Sequence, residues 1–213
     1  MPQSFFGMEQ EDQAIFLNGL ALLCLVFWGP GRELCQELVQ PEFSGELSEF
    51  ASLMDDEARE AAEEMTSFLA EFGDAESLFA ALEENYARLF LESRGEGAAS
   101  LYHSYYEART GPSRRRPPDM MALRLEAAGL DFKEKSSGPP DHLAIELEYL
   151  FILFEEALAA PNRVLRAEAR AFADKEMLPW LEKFEARLSE EDDAPFFPAA
   201  ARLLISALTT AAL

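Results

Sequence analysis

The stretch Pro139-Pro140-Asp141-His142-Leu143-Ala144-Ile145-Glu146-Leu147-Glu148-Tyr149-Leu150 decides how this chain is read. From Leu143 onward, Leu147, Leu150, Phe151, Phe154 and Leu158 follow the i, i+4, i+7, i+8 repeat of one helix face, and Ile145, Tyr149 and Ile152 form a second apolar line opposite. A helix that is apolar on two sides has to be wrapped by others, which predicts a central helix over 140–160 of an all-α domain. Pro140 suits its first position, where the missing N–H has no intrahelical partner, and Asp141 suits the positive helix start. His142 and Glu146 then lie about 40° apart on one flank, so Asp141, His142 and Glu146 gather at the mouth of an apolar helix. Two readings stand. One is a cap plus an i, i+4 pair on a solvated edge, worth roughly 0.2–0.5 kcal/mol; the other is a polar recognition spot at the rim of a groove.

Outward from this stretch, helical periodicity recurs and strand alternation hardly occurs. The spacing predicts helices over roughly 9–28, a short one to Gln40, then 44–53, 55–71 and 75–92, the last with Leu78, Phe79, Leu82, Tyr86, Leu89 and Phe90 on one face. An aromatic helix is expected around 100–109, another from Pro117-Pro118 to Gly129, a long stretch over 163–189 kinked or split at Pro179, and a last helix over 197–211. The whole is a single-chain helical bundle of about ten helices. The connection 111–116, which contains Arg114-Arg115-Arg116, predicts a hinge between possible subdomains 1–110 and 117–213. A monomer is the simple expectation, and helix exchange across 107–119 would give a domain-swapped dimer.

Charge narrows the partners. The 213 residues include 40 acidic and 18 basic ones, a net of −22, and between Glu42 and Glu96 alone the count is sixteen acidic against three basic. Nucleic acid and anionic membrane need a basic surface and are excluded as partners; a basic peptide would be attracted, unless the acidity serves only solubility. Cys24 and Cys35 have no metal-type spacing and sit among Leu and Val, as expected of small core residues in a reducing compartment. The apolar run 14–28 follows Glu9, Glu11 and Asp12, is interrupted by Asn18 and is short for a bilayer, so it reads as a buried first helix; with no export signal, the expected location is the cytoplasm.

Catalysis finds little support. His103 and His142 are the chain's two histidines, and no G-x-S-x-G, P-loop, C-x-x-C or H-E-x-x-H occurs. Asp141, His142 and Glu146 make a poor metal set, because adjacent helical residues point about 100° apart. No enzyme activity, cofactor or metal is expected. Among the aromatics, Phe90 and Trp180 read as core, whereas tyrosine rings make good peptide contacts; Tyr102 and Tyr106, one turn apart beside the hinge, are favoured, with Tyr86 also a candidate.

Pro140-Asp141-His142 followed by Glu146-Leu147 resembles the P-D-H-x-x-x-E-L motif of the TorD/DmsD/NarJ family of cytoplasmic chaperones for molybdoenzyme maturation. Tyr86-Ala87-Arg88-Leu89-Phe90 is similar to that family's Y-x-x-L-F segment, Leu101-Tyr102-His103-Ser104-Tyr105-Tyr106 to its P-Y-x-S-x-Y stretch, and Phe172 through Leu178-Pro179-Trp180 to its F-x-x-H-L-x-x-W helix. Leu101 stands where the family has proline and Glu176 where it often has histidine. The resemblance spans most of 80–210. It implies a dedicated chaperone that binds the twin-arginine signal peptide and apo-body of a molybdenum-cofactor oxidoreductase, with Asp141, His142, Glu146, Tyr102, Tyr106 and Tyr86 as peptide-binding residues. The alternatives are a NarJ-type chaperone for a membrane-bound reductase that is not exported, or a small helical nucleotide-dependent regulator.

Overall fold

The structure is a computed structural model and describes residues 3–91, 99–107, 116–130, 138–159, 162–190 and 195–213. The predicted hinge at 111–115, with Arg114 and Arg115, and the connectors at 92–98, 136–137 and 191–194 lie outside the described residues. Everything described is helix, turn or irregular chain, apart from one isolated antiparallel bridge between Tyr102 and His142.

Two helix pairs organise the core. Helix α1 (Gln10–Trp28) runs antiparallel to α7 (Leu143–Ala159): the Cys24 thiol donates to the Ala144 carbonyl at one end (3.3 Å), and the Phe16 and Phe154 rings meet at the other. Alpha-helix α4 (Asp56–Leu69) packs along α10 (Phe196–Ala212), which also touches α1, so helices from both sides of the predicted hinge share one core. α1 has the length and hydropathy to cross a membrane, but Phe16, Leu20, Leu23 and Phe27 are buried against its neighbours, as expected of a core helix. Around these pairs lie α2 (Arg32–Leu38), α3 (Phe43–Ser52), α5 (Ala75–Tyr86), α6 (Pro117–Ala127), α8 (Arg163–Ala171) and α9 (Leu178–Leu188).

Local chemistry explains the helix ends. Asp55 and Asp74 cap α4 and α5, their carboxylates accepting from Ala58 N and Ser77 N. The split expected at Pro179 is a π-helical turn over Phe172–Met177 that hands over to α9, with the Leu178 N–H reaching back to the Ala173 carbonyl. A proline lacks the N–H that an α-turn would use, and the wider turn accommodates that loss while rotating Trp180 and Phe184 inward. Glu176 within that turn pairs with Arg124 of α6 at 3.2 Å.

At the α1–α3 crossing, Gly19 lies so close to Phe50 that a Cβ would overlap its ring, which is buried and packed edge-on against Phe16. Gly19→Ala gains about 1 kcal/mol of helix propensity but overpacks a rigid contact, which costs about 1–3 kcal/mol. A net loss of stability is expected in urea titration; a stabilised variant would show that α3 shifts freely.

Candidate functional site

The central helix begins at Leu143, not Pro140, and of the helix expected around 100–109 the described residues 100–107 form no α-helix. Both corrections have one cause. The His103 N–H donates to the Asp141 carbonyl (3.0 Å) and the Leu143 N–H to the Leu101 carbonyl (2.8 Å), which holds 101–103 and 141–143 as a short extended pair. Beyond it the chain makes only a 3-10 turn, His103–Tyr105. The carbonyl of His142 accepts from Ile145 N and Glu146 N, so His142 is the residue that opens α7, and Pro140 lies in the preceding turn.

Asp141 is fully buried. It does not cap α7: its Oδ2 accepts from Ser104 N at 2.9 Å, while Oδ1 is buried with no partner among the described residues. Glu146 is 2% exposed and both its oxygens are engaged, Oε1 with His103 Nδ1 at 3.0 Å and Oε2 accepting from Trp180 Nε1 at 3.1 Å. Burial pushes the Glu146 carboxyl above its usual range, against the His103 and Trp180 hydrogen bonds that favour the anion; Asp141 adds a smaller upward push. Glu146 therefore lies beneath the mouth of the helix, where it ties α7 to the 101–106 segment and to α9.

His142 has a different surrounding. Its ring stacks on Trp28 (5.3 Å, 17°) and meets the edge of Tyr102 (5.1 Å). Nδ1 accepts from Ala144 N at 3.2 Å. That bond requires a lone pair on Nδ1, so the neutral ring carries its proton on Nε2, a donor with no hydrogen-bond partner among the described residues. Burial lowers the His142 pKa to about 4, with Asp141 opposing, so the ring is neutral at physiological pH. The Trp28 indole is fixed in turn by its N–H to Glu148 Oε1 at 3.2 Å.

The tyrosines separate. Tyr102 is half-buried and belongs to the His142 cluster. Tyr106 stacks on Trp180 (5.6 Å) with its hydroxyl buried, and that burial raises its pKa. Tyr105, at 51% exposed, is the outward-facing ring of the three and accepts a hydrogen bond from Arg187. Tyr86 is buried behind the cluster, donating to the Phe27 and Trp28 carbonyls at 3.2 and 3.3 Å, and burial pushes its hydroxyl to about 12. Its ring also faces Gly29, whose φ of 117° ends α1 in a conformation that favours glycine. Tyr86 thereby positions Trp28 from behind.

Beside α1, a groove of about 700 Å³ opens between α1, α2 and α3. Ile15, Leu22, Leu25 and Phe43 give it an apolar lining, and Glu37, Glu42, Glu46 and Glu49 contribute carboxylates. Leu25 is 49% exposed, and Trp28 lies one turn beyond it on α1. Sequence reasoning did not single out Trp28, His103 or this groove. The one available signal was that the chain has two histidines, and both fall at the 102–142 bridge.

Among the described residues, no three His, Cys, Asp or Glu side chains converge to hold a metal ion. The family model described as nitrate reductase delta subunit matches residues 51–186, a span that includes the 101–106 segment, the start of α7 and Trp180, but not α1. No curated protein matches the chain.

Proposed function

The chain belongs to the nitrate reductase delta subunit family, and from that premise we propose that it is an assembly chaperone for a molybdoenzyme subunit, not a catalyst. It would act in the cytoplasm, holding the apo subunit by an N-terminal segment with a basic end and an apolar stretch until cofactor insertion is complete. The observation that carries this reading is the acid-flanked apolar groove along α1 with Trp28, stacked on His142, one turn past its end. The apolar stretch lies on Leu22, Leu25 and Phe43, and the basic end meets the four glutamates. The Nε2–H of His142 donates to a client carbonyl, with Tyr102 beside it. Asp141 and Glu146 support this mouth from below, and Tyr106 and Tyr86 brace it through Trp180 and Trp28.

A twin-arginine signal peptide fits this description. The matched family's description favours the second reading, a NarJ-type chaperone whose client is a reductase that is not exported. The test is calorimetric titration with a twin-arginine peptide and a copy in which both arginines are alanine, at two salt concentrations. Binding that weakens with salt and on loss of the arginines supports the exported client; equal binding of both peptides supports the other. His142→Ala loses one hydrogen bond, and Leu25→Glu places charge in the groove, so each is expected to weaken binding about tenfold. Unchanged affinity in both folded variants would sink the reading of this site.

A further inference from the structure

We propose that the seam between the N-terminal 3-10 turn (Phe5–Gly7) and helix α8 is a second binding site, for a phosphate-bearing small anion. It is independent of the peptide reading above. A cavity of about 350 Å³ there is lined by Arg163, Arg166 and Arg170 together with Ser4, Phe6 and Gly7, and none of its lining residues is acidic. The spacing i, i+3, i+7 puts the three guanidinium-bearing side chains on one face of α8.

Their lack of partners is unusual for this chain. With 40 acidic residues available, Arg32, Arg59, Arg116, Arg124 and Arg202 all pair with a carboxylate. Among the described residues, Arg163, Arg166 and Arg170 form no ion pair. The Nε atoms of Arg166 and Arg170, like that of Arg202, are buried with no hydrogen bond among the described residues. The Ser4 hydroxyl also has no hydrogen-bond partner among the described residues.

The site is also built in advance. Arg166 and Arg170 lie over the Phe6 ring at 5.2 and 5.4 Å. Phe6 in turn packs on Phe5 and on Phe154 of the central helix. Stacking uses the face of a guanidinium and leaves its N–H edge free, the arrangement that suits bidentate contact with a phosphate. Three cations and a hydroxyl match an anion of two or more charges with tetrahedral oxygens better than a single carboxylate.

The experiment is calorimetric titration of the full chain at physiological ionic strength with inorganic phosphate, pyrophosphate and a nucleoside triphosphate. Saturable binding is expected, weakened about tenfold or more by Arg166→Gln. Arg163→Gln, at an exposed position that touches no ring, should also weaken binding and guards against a folding artefact in the first variant. Phosphate binding as tightly as the larger probes would make the free ion the ligand; tighter binding of pyrophosphate or the nucleotide would make it a phosphorylated small molecule. Failure of all three probes to saturate, or binding that both variants leave unchanged, would overturn the site.

Discussion

Glu146→Ala is expected to lower the unfolding free energy by about 3–5 kcal/mol, the cost of breaking a buried charged network from one side. The substitution leaves Trp180 Nε1 and His103 Nδ1 facing each other across a hole in the buried interior, without the carboxylate that joined them. At about 2–4 °C per kcal/mol for a chain of this size, the melting temperature should fall by roughly 10 °C. Glu146→Gln separates the hydrogen bonds from the charge. Its amide oxygen can accept from Trp180, and its NH2 can donate to His103 Nδ1 once the imidazole proton moves to Nε2, so most of the stability should return. Urea titration of both variants checks this; an alanine variant within 1 kcal/mol of the parent would show that the three elements do not depend on this residue. The pH dependence has a definite sign. Because the folded state raises the Glu146 pKa from 4.5, it binds the proton more tightly than the unfolded chain, so this stabilisation is complete below 4.5 and is lost as pH rises through the folded value. Glu146→Gln should remove that slope.

His142 should act in the opposite direction and over a defined window. Its pKa is lowered from 6.5 to about 4 by burial, so between those values the unfolded chain binds a proton that the folded one refuses. Stability then falls with falling pH, by about 3 kcal/mol in total at about 1.4 kcal/mol per pKa unit. Protonation also removes the Nδ1 lone pair that receives the Ala144 N–H, and so attacks the first turn of α7 directly. His142→Asn supplies an amide oxygen for that N–H but cannot titrate. Unfolding free energies at pH 4, 5.5 and 7 should show a parent that weakens in acid and a variant whose loss is smaller by about 3 kcal/mol. Parallel profiles would refute the burial of this ring. Because Glu146 tilts the curve the other way, the comparison is cleanest with Glu146→Gln as the common background.

Most helices were legible because their signal is local. Asp55 and Asp74 mark helix starts three residues ahead of the N–H groups they receive, and the apolar repeat from Leu143 to Leu158 needs no knowledge of its neighbours. What was not legible is non-local. Nothing around Pro140 announces that 101–103 will pair with 141–143, yet that pairing delays the helix by three residues, pulls Asp141 inward and turns His142 into the residue that opens it. The same holds for Glu146. On a helical wheel it is a neighbour of His142 on an open flank; in the fold its partners are His103 and Trp180, 43 and 34 residues away. Trp28 looked like the end of an apolar run, because the ring that it supports lies more than a hundred residues downstream.

The pairing of α1 with α7 also sets an order of events during synthesis. The bonds from Cys24 to Ala144 and from Trp28 to Glu148 each span 120 residues, so the apolar face of the first helix leaves the ribosome long before the surface that will cover it. At about 5–20 residues per second, that gap is of the order of ten seconds. For that interval a chain whose proposed task is to shelter another protein's apolar segment carries an unsheltered one of its own, and α4 waits in the same way for the distant α10. The first helix is therefore covered late, and while it is nascent this protein is itself in need of the protection it is proposed to provide.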